Sequence, residues 1–186
     1  MFKSWKNGQT INIKNKLLGV EGMENRDLGR VNDSELILKI ENRENMPEID
    51  VYVDGSYSKE LRTGGCGIYM VDRLKNKVVH KEYTPITSEK IQIKGKSSLA
   101  TELNAALIAI ELALSMGLKS VNIVYDCDAI LDSIWGTKMK NYEMYKFKAI
   151  VADYLKRIHV TFIPAMFYNY EIHNNAHKLS RMYLAS

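Results

Sequence analysis

A helix-forming run between segments of strand character constrains the fold of this chain more than any other feature. Residues 100–116 are rich in Ala, Leu and Glu and are followed by Gly117, which predicts a helix and its stop. Residues 49–83 predict three antiparallel strands, and residues 121–125 predict a fourth. Because a helical crossover returns the chain in its original direction, the fourth strand should run parallel to the first. This order predicts a mixed sheet.

Two glycine-containing segments divide the predicted strands. The alternation of residues 49–54 stops at Gly55 and Ser56, which indicates a turn after the first strand. Residues 64–67, with the sequence GGCG, are a second turn signal. The first three strands are therefore expected to form a short antiparallel meander.

The second half of the chain continues the alternation of helices and strands. It contains predicted helices at residues 128–135, 142–156 and 172–184 and a predicted strand at residues 160–164. The result is an α/β fold with a mixed five-stranded sheet flanked by helices. Hydrophobic residues make up 46% of the chain, which is enough for the core of such a fold.

The first 48 residues have a different character. They are polar and rich in Asn, and their apolar periodicity is patchy. We interpret residues 1–48 as an N-terminal extension of unknown role and residues 49–186 as the principal domain. The extension could add strands beside the core, mediate association or be partly disordered, and the sequence does not select among these.

Composition places the chain in a broad class without identifying a partner. The net charge of +4 slightly favours binding to polyanions. Cys66 and Cys127 form no paired framework, as expected for reduced thiols. The N-terminus lacks the apolar run of a signal peptide, and no stretch approaches the ~20 apolar residues that span a bilayer. We expect a cytoplasmic protein without a membrane partner, monomeric unless its extension mediates dimerisation.

Three carboxylates occupy matching places in the predicted fold. Asp54 ends the first strand, Glu102 lies in the first turn of the connecting helix, and Asp126 ends the fourth strand. Each alone could be a turn residue or a helix-dipole partner. Together they lie at the edge where open α/β sheets bind ligands, and they would repel one another unless hard cations lay between them. Oxygen ligands suit Mg²⁺ or Mn²⁺, and two such ions can clamp a phosphodiester.

Four segments resemble motifs of the ribonuclease H family. They are VYVDGS with GGCGI in residues 51–68, TEL at 101–103 with Ala105, Ala106 and Ala109, IVYDC at 123–127, and NNAHKLS at 174–180. The resemblance covers roughly residues 49–186 and identifies them as a catalytic domain. It implies the ribonuclease H fold and a two-metal endonuclease that hydrolyses the RNA strand of RNA–DNA hybrids, leaving 5′-phosphate and 3′-hydroxyl ends. In that scheme Asp54 bridges both ions, Glu102 and Asp126 complete one of them, and a closing-helix ligand holds the ion that activates water.

The closing helix departs from the family pattern. When Ala176 and Leu179 are aligned with the closing-helix motif of the family, His177 takes the position of the fourth carboxylate. Imidazole is a poor Mg²⁺ ligand. We therefore expect weaker binding of the water-activating ion and a relative preference of the site for Mn²⁺. Alternatively, His177 carries protons and does not ligate. His173, one turn earlier, could join it in chelating a transition metal or could face solvent.

Polar and basic residues around the site are the expected contacts to the hybrid. They are Gly55, Ser56, Ser97, Ser98, Asp128, Trp135, Lys138 and Lys140. The lysines would neutralise phosphates and Trp135 would pack against a deoxyribose. A solvated amphipathic helix with core aromatics explains the same segment equally well.

Two other functions stay open at this point. The first is a non-catalytic ribonuclease H-like module that binds nucleic acid, because the fourth ligand is changed and residues 165–172 lack the loop His of the family. The three retained carboxylates argue against it, since anionic residues repel phosphate. The second is another nuclease of the same fold, of a transposase or exonuclease type.

Overall fold

Residues 47–136 and 141–185 are described by a computed structural model, apart from the side chain of Phe167. Two sets of sequence predictions lie outside the described residues: the role of the extension 1–48, of which residues 1–46 are not described, and the DNA contacts of Lys138 and Lys140.

Five strands form one mixed sheet. They are β1 (Ile49–Ser58), β2 (Thr63–Asp72), β3 (Lys77–Pro85), β4 (Ser120–Tyr125) and β5 (His159–Pro164). Their spatial order is β3-β2-β1-β4-β5. β1, β2 and β3 pair antiparallel, whereas β4 is parallel to both β1 and β5. The predicted mixed five-stranded sheet is confirmed.

Four α-helices accompany the sheet in the described part of the chain. They are α1 (Ser98–Ser115), α2 (Asp128–Trp135), α3 (Tyr142–Tyr154) and α4 (Tyr170–Ser180). Helix α4 begins earlier than predicted because the Asn169 side chain accepts a hydrogen bond from Ile172 N and caps the helix. It also ends earlier, at Ser180, and a 3₁₀ helix follows at Met182–Leu184.

Apolar residues cover both faces of β1. Val51 and Val53 belong to the larger hydrophobic cluster, which contains most of the buried residues of α1. Tyr52, between them, belongs to a smaller cluster that includes Ala176 of α4. Because side chains of a strand alternate between its two faces, α1 and α4 pack on opposite sides of β1. The two helices can therefore bring side chains to the same strand from either face.

Helix α1 is long and apolar enough to cross a membrane, judged by length and composition alone. The sequence analysis did not predict such a helix. A core helix of a folded domain passes the same test. Ala105, Leu107 and Ala109 are fully buried in the larger cluster, as expected for a core helix. Ser97 caps its start by accepting from Ala100 N, and Gly117, with φ of 73°, follows its end.

The prediction of turns at the two glycine segments is wrong. β1 continues through Gly55 to Ser58, and residues 64–67 lie inside β2. The turn itself occupies residues 59–62, where Arg62 has a positive φ of 51°.

Glycine is required at two of these strand positions because backbone from a helix lies against them. A Cβ atom on Gly55 would lie 2.2 Å from the backbone N of Glu102 in α1. A Cβ atom on Gly67, which pairs with Asp54, would lie 2.1 Å from the carbonyl O of Ala176 in α4. The glycines therefore allow α1 and α4 to approach the sheet closely next to Asp54.

Candidate metal centre

Asp54 lies inside β1, so the prediction that it ends the strand is wrong. Parallel pairing of β1 with β4 extends only to Tyr52 and Val124, whereas pairing with β2 continues beyond Asp54. Asp54 is therefore just past the last β4 partner, at the carboxyl edge of the parallel pair. The residue is only 3% exposed, so its carboxylate needs partners within the protein.

Asp126 directly follows the last residue of β4, as predicted. Burial and the nearby Asp54 charge raise the pKa of Asp126, whereas His173 and His177 act in the opposite direction. Asp54 and Asp126 are thus brought to one edge of the sheet and interact electrostatically.

Glu102 reaches the same edge from α1. It lies in the second turn of the helix, not the first turn as predicted, because the helix already begins at Ser98. Its Oε2 accepts a hydrogen bond of 2.9 Å from the backbone N of Gly55. Burial, followed by the charges of Asp54 and Asp126, raises the pKa of Glu102 well above its ordinary value.

Two side chains of α4 contact the Asp54 carboxylate. His177 Nδ1 lies 3.1 Å from Asp54 Oδ1, and Ser180 Oγ donates a hydrogen bond to Asp54 Oδ2. Ser180 is fully buried. His177 was predicted to lie at the site, whereas Ser180 was not. The i, i+3 spacing of the two residues, which puts both on one face of a helix, is the signal that could have identified Ser180.

His173 is buried, so the alternative that it faces solvent is wrong. The residue is 1% exposed, and its Nε2 lies 2.8 Å from the carbonyl O of Val53. One ligand atom each from Asp54, Asp126 and His173 lie within 4.8 Å of one another. This cluster of carboxylate oxygens and an imidazole nitrogen fits a divalent cation, which would also offset the burial and the mutual repulsion that raise the pKa values of Glu102 and Asp126.

Three predicted hybrid contacts already have partners within the protein. The Gly55 N–H donates to Glu102, Ser56 Oγ lies 3.0 Å from Tyr183 OH, and the Ser97 side chain caps α1. These groups shape the site, and any contact they make with a ligand would compete with the bonds described.

The remaining described members of that set lie at helix ends. Ser98 and Asp128 are exposed in the first turns of α1 and α2. Trp135 ends α2, is half-buried and packs against the larger cluster, and its buried Nε1 has no hydrogen-bond partner among the described residues. Trp135 thus has a core contact together with partial exposure.

Replacing Ser180 with alanine is expected to lower the free energy of unfolding by about 2 kcal/mol, because a buried carboxylate loses a hydrogen-bond donor. Urea unfolding monitored by circular dichroism measures this change. Ser115→Ala is the matched control, since that exposed hydroxyl donates to Leu112 O in the last turn of α1. Equal, small effects of the two substitutions would contradict the role of Ser180 at Asp54.

Without divalent ions, the stability of the protein is expected to fall as pH rises from mildly acidic to neutral. The folded-state pKa of Glu102 and that of Asp126 are raised, so the folded state binds these protons more tightly than the unfolded state. Their contribution is fully present below the ordinary carboxyl pKa and is lost as pH rises through the raised values, with a slope of up to about 1.4 kcal/mol per pH unit for one group.

Urea unfolding in EDTA at a series of pH values tests this expectation, and Glu102→Gln is the informative variant. It should flatten the pH dependence, and Mn²⁺ should reduce the dependence in the unmodified chain. Stability that rises between about pH 5 and 7 in EDTA would show that the carboxylates are not destabilised by their surroundings.

Comparisons with known proteins agree with this architecture. The sequence profile of a family described as reverse transcriptase-like matches residues 52–182. No curated protein sequence matches the chain. Among solved structures, the chain is similar to RNase H1 from the halophilic archaeon Halobacterium salinarum NRC-1, with 17% identity and a TM-score of 0.56 over 74% of this chain and 97% of that one.

Two further similar structures were solved with a nucleic acid. LC11-RNase H1 in complex with an RNA/DNA hybrid has 20% identity and a TM-score of 0.55, over 72% of this chain and 94% of that one. The foamy viral protease-reverse transcriptase in complex with an RNA/DNA hybrid has 20% identity and a TM-score of 0.53, over 73% of this chain and 20% of that one. At these identities the likeness shows the fold, which is that of ribonuclease H.

Proposed function

Because the chain belongs to the reverse transcriptase-like family and has the ribonuclease H fold, we propose that it is a metal-dependent endonuclease that cuts the RNA strand of RNA–DNA hybrids. The observation that carries the proposal is the convergence of Asp54, Asp126 and His173 within 4.8 Å at the carboxyl edge of β1 and β4, with Glu102 beside them. The hybrid bound to LC11-RNase H1, which is similar over nearly its whole length, supports the choice of substrate.

The residues proposed to hold the metal ions are Asp54, Glu102 and Asp126, with His177 at the fourth position. Two Mg²⁺ or Mn²⁺ ions bound there would activate a water and stabilise the leaving oxygen of the phosphodiester, which leaves 5′-phosphate and 3′-hydroxyl ends. The protein contributes by fixing its ligands before any ion binds. Ser180 and His177 each contact one oxygen of Asp54, and the Gly55 N–H orients Glu102.

The exposure of His177 supports a second role in the same reaction. Its side chain is 40% exposed while its Nδ1 contacts Asp54. An imidazole that contacts both a carboxylate and solvent is placed to pass a proton between them. Metal ligation and proton transfer by His177 are therefore the two forms of this proposal. His177→Asp separates them, because aspartate supplies a metal ligand but removes the imidazole ring.

Contacts to the hybrid are proposed along one side of the metal site. Exposed Ser98 lies one turn before Glu102 in α1, and exposed Asp128 lies two residues after Asp126. Half-buried Trp135 ends the same helix that begins at Asp128. Ser98 can reach a 2′-hydroxyl, the group that distinguishes RNA from DNA, and Trp135 can stack on a sugar.

Cleavage of labelled substrates by the full chain tests the proposal. The RNA strand of a hybrid should be cut with Mn²⁺ or Mg²⁺ and left intact in EDTA, whereas single-stranded RNA and duplex DNA should be cut much more slowly. Binding of the hybrid without cleavage in either metal would favour the non-catalytic module. Equal cleavage of duplex DNA would identify a nuclease of another specificity.

A further inference from the structure

The ring of His173 has a fixed orientation. Its Nε2 lies 2.8 Å from the carbonyl O of Val53 in β1. A carbonyl oxygen only accepts hydrogen bonds, so Nε2 carries the hydrogen. In the neutral imidazole the lone pair is then on Nδ1. The ring also stacks on Tyr170, with centroids 6.1 Å apart and planes at 17°.

Nδ1 of His173 is directed towards the carboxylates. It lies 3.9 Å from Asp126 Oδ2, and one ring nitrogen of His173 lies within 4.8 Å of a carboxylate oxygen of Asp54 and of Asp126. A distance of 3.9 Å is too long for a hydrogen bond. Two ligands bound to one ion at about 2.1 Å lie roughly 3 to 4.2 Å apart, depending on the angle between them, so this separation suits a shared ion.

We propose that His173, through Nδ1, is a direct nitrogen ligand of the metal ion held between Asp54 and Asp126, and that the site therefore prefers a divalent transition-metal ion such as Mn²⁺ to Mg²⁺. Mg²⁺ favours oxygen ligands, whereas transition ions accept imidazole. A histidine that binds a metal through one ring nitrogen usually donates a hydrogen bond from the other. The backbone carbonyl of Val53 accepts that bond from Nε2 of His173. The inference rests on the metal site of the proposed function and adds a ligand to it.

A purely structural role for His173 predicts different behaviour. If the ring served only to satisfy Val53 O and fill space under Tyr170, its loss would weaken folding and would affect the binding of all divalent ions alike. A nitrogen ligand instead changes the ratio of two ion affinities. The ratio of Mn²⁺ to Mg²⁺ affinity is therefore the deciding quantity.

His173→Gln is the test variant, because a glutamine amide can donate to Val53 O from the position of Nε2 but has no counterpart of Nδ1. Mn²⁺ affinity, measured by electron paramagnetic resonance titration, should fall at least about tenfold, and Mg²⁺ affinity, measured by competition, should fall much less. His80→Gln on β3 is the matched control and should change neither affinity. Unchanged Mn²⁺ binding, or equal loss for both ions, would overturn the proposal.

A second measurement does not depend on the folding of His173→Gln. In His177→Ala loaded with Mn²⁺, pulsed electron paramagnetic resonance should still detect a nitrogen hyperfine coupling, because His173 remains. The absence of that coupling with the ion bound would overturn the proposal. Cleavage of the hybrid is scored separately, on the unmodified chain. Cleavage there without nitrogen coupling in His177→Ala rejects only the His173 ligand, and coupling in His177→Ala without cleavage by the unmodified chain rejects only the nuclease.

Discussion

Replacing Asp54 with asparagine should lower the rate of hybrid cleavage by at least about 10³-fold, because a metal ion supplies several kcal/mol of transition-state stabilisation and each 1.36 kcal/mol is worth a factor of ten. Asp54 lies at the centre of the site: His177 and Ser180 contact its two oxygens, and burial followed by the Asp54 charge raises the pKa of Glu102. Asparagine keeps the shape and one acceptor oxygen but removes the charge that holds a cation.

Single-turnover cleavage and hybrid binding, measured on the same preparation, test this expectation. Binding of the hybrid should be preserved or tightened, since one negative charge near a polyanion is removed. Asp153→Asn changes the net charge equally at a side chain of α3 that is 65% exposed and pairs with Lys156, just after that helix, so it should cleave normally. Turnover by Asp54→Asn within tenfold of the unmodified chain would refute the role of Asp54 as a metal ligand.

Replacing Gly55 with alanine should lower the free energy of unfolding by about 3 kcal/mol or more, at the upper end of the usual cost of overpacking. The new Cβ atom would lie 2.2 Å from the backbone N of Glu102 and 2.3 Å from the backbone C of Thr101. These are backbone atoms of α1, so no side chain can rotate away. The helix itself must move from the sheet, which also displaces Glu102.

Gly117→Ala is the matched control for this prediction. Gly117 has a positive φ of 73° and open space around its Cβ position, so alanine there costs only the left-handed conformation, about 1–2 kcal/mol. Urea unfolding of the two variants compares the two costs directly. A Gly55→Ala protein as stable as Gly117→Ala would mean that α1 does not lie against β1 as described.

Local patterns in the sequence were sufficient to predict the order of the elements. The run at residues 100–116 forms most of α1, and residues 121–125 form β4. Helix propensity and apolar periodicity act over a few neighbouring residues, so they can be read from a single sequence. The position of Asp126 at the end of β4 followed from the same local signals.

The glycines of residues 64–67 show where prediction from local sequence patterns is wrong, because the predicted turn lies inside β2. A glycine cluster signals a turn when only the freedom of its own backbone is considered. In the folded chain Gly67 is required for a different reason, since α4 contributes the Ala176 carbonyl that lies against it. Nothing near Gly67 in the sequence reveals that contact, because α4 follows far along the chain.

The sequence by itself determined the mixed sheet and predicted the candidate ligands Asp54, Glu102, Asp126 and His177. Only the tertiary structure decided how α4 is rotated about its own axis, which directs His173 and Ser180 towards β1. His173 reaches Val53 across 120 positions of sequence and Ser180 reaches Asp54 across 126. The rotation of a helix is set by packing of its apolar face on the sheet, and that packing depends on residues too distant in the chain for periodicity to register.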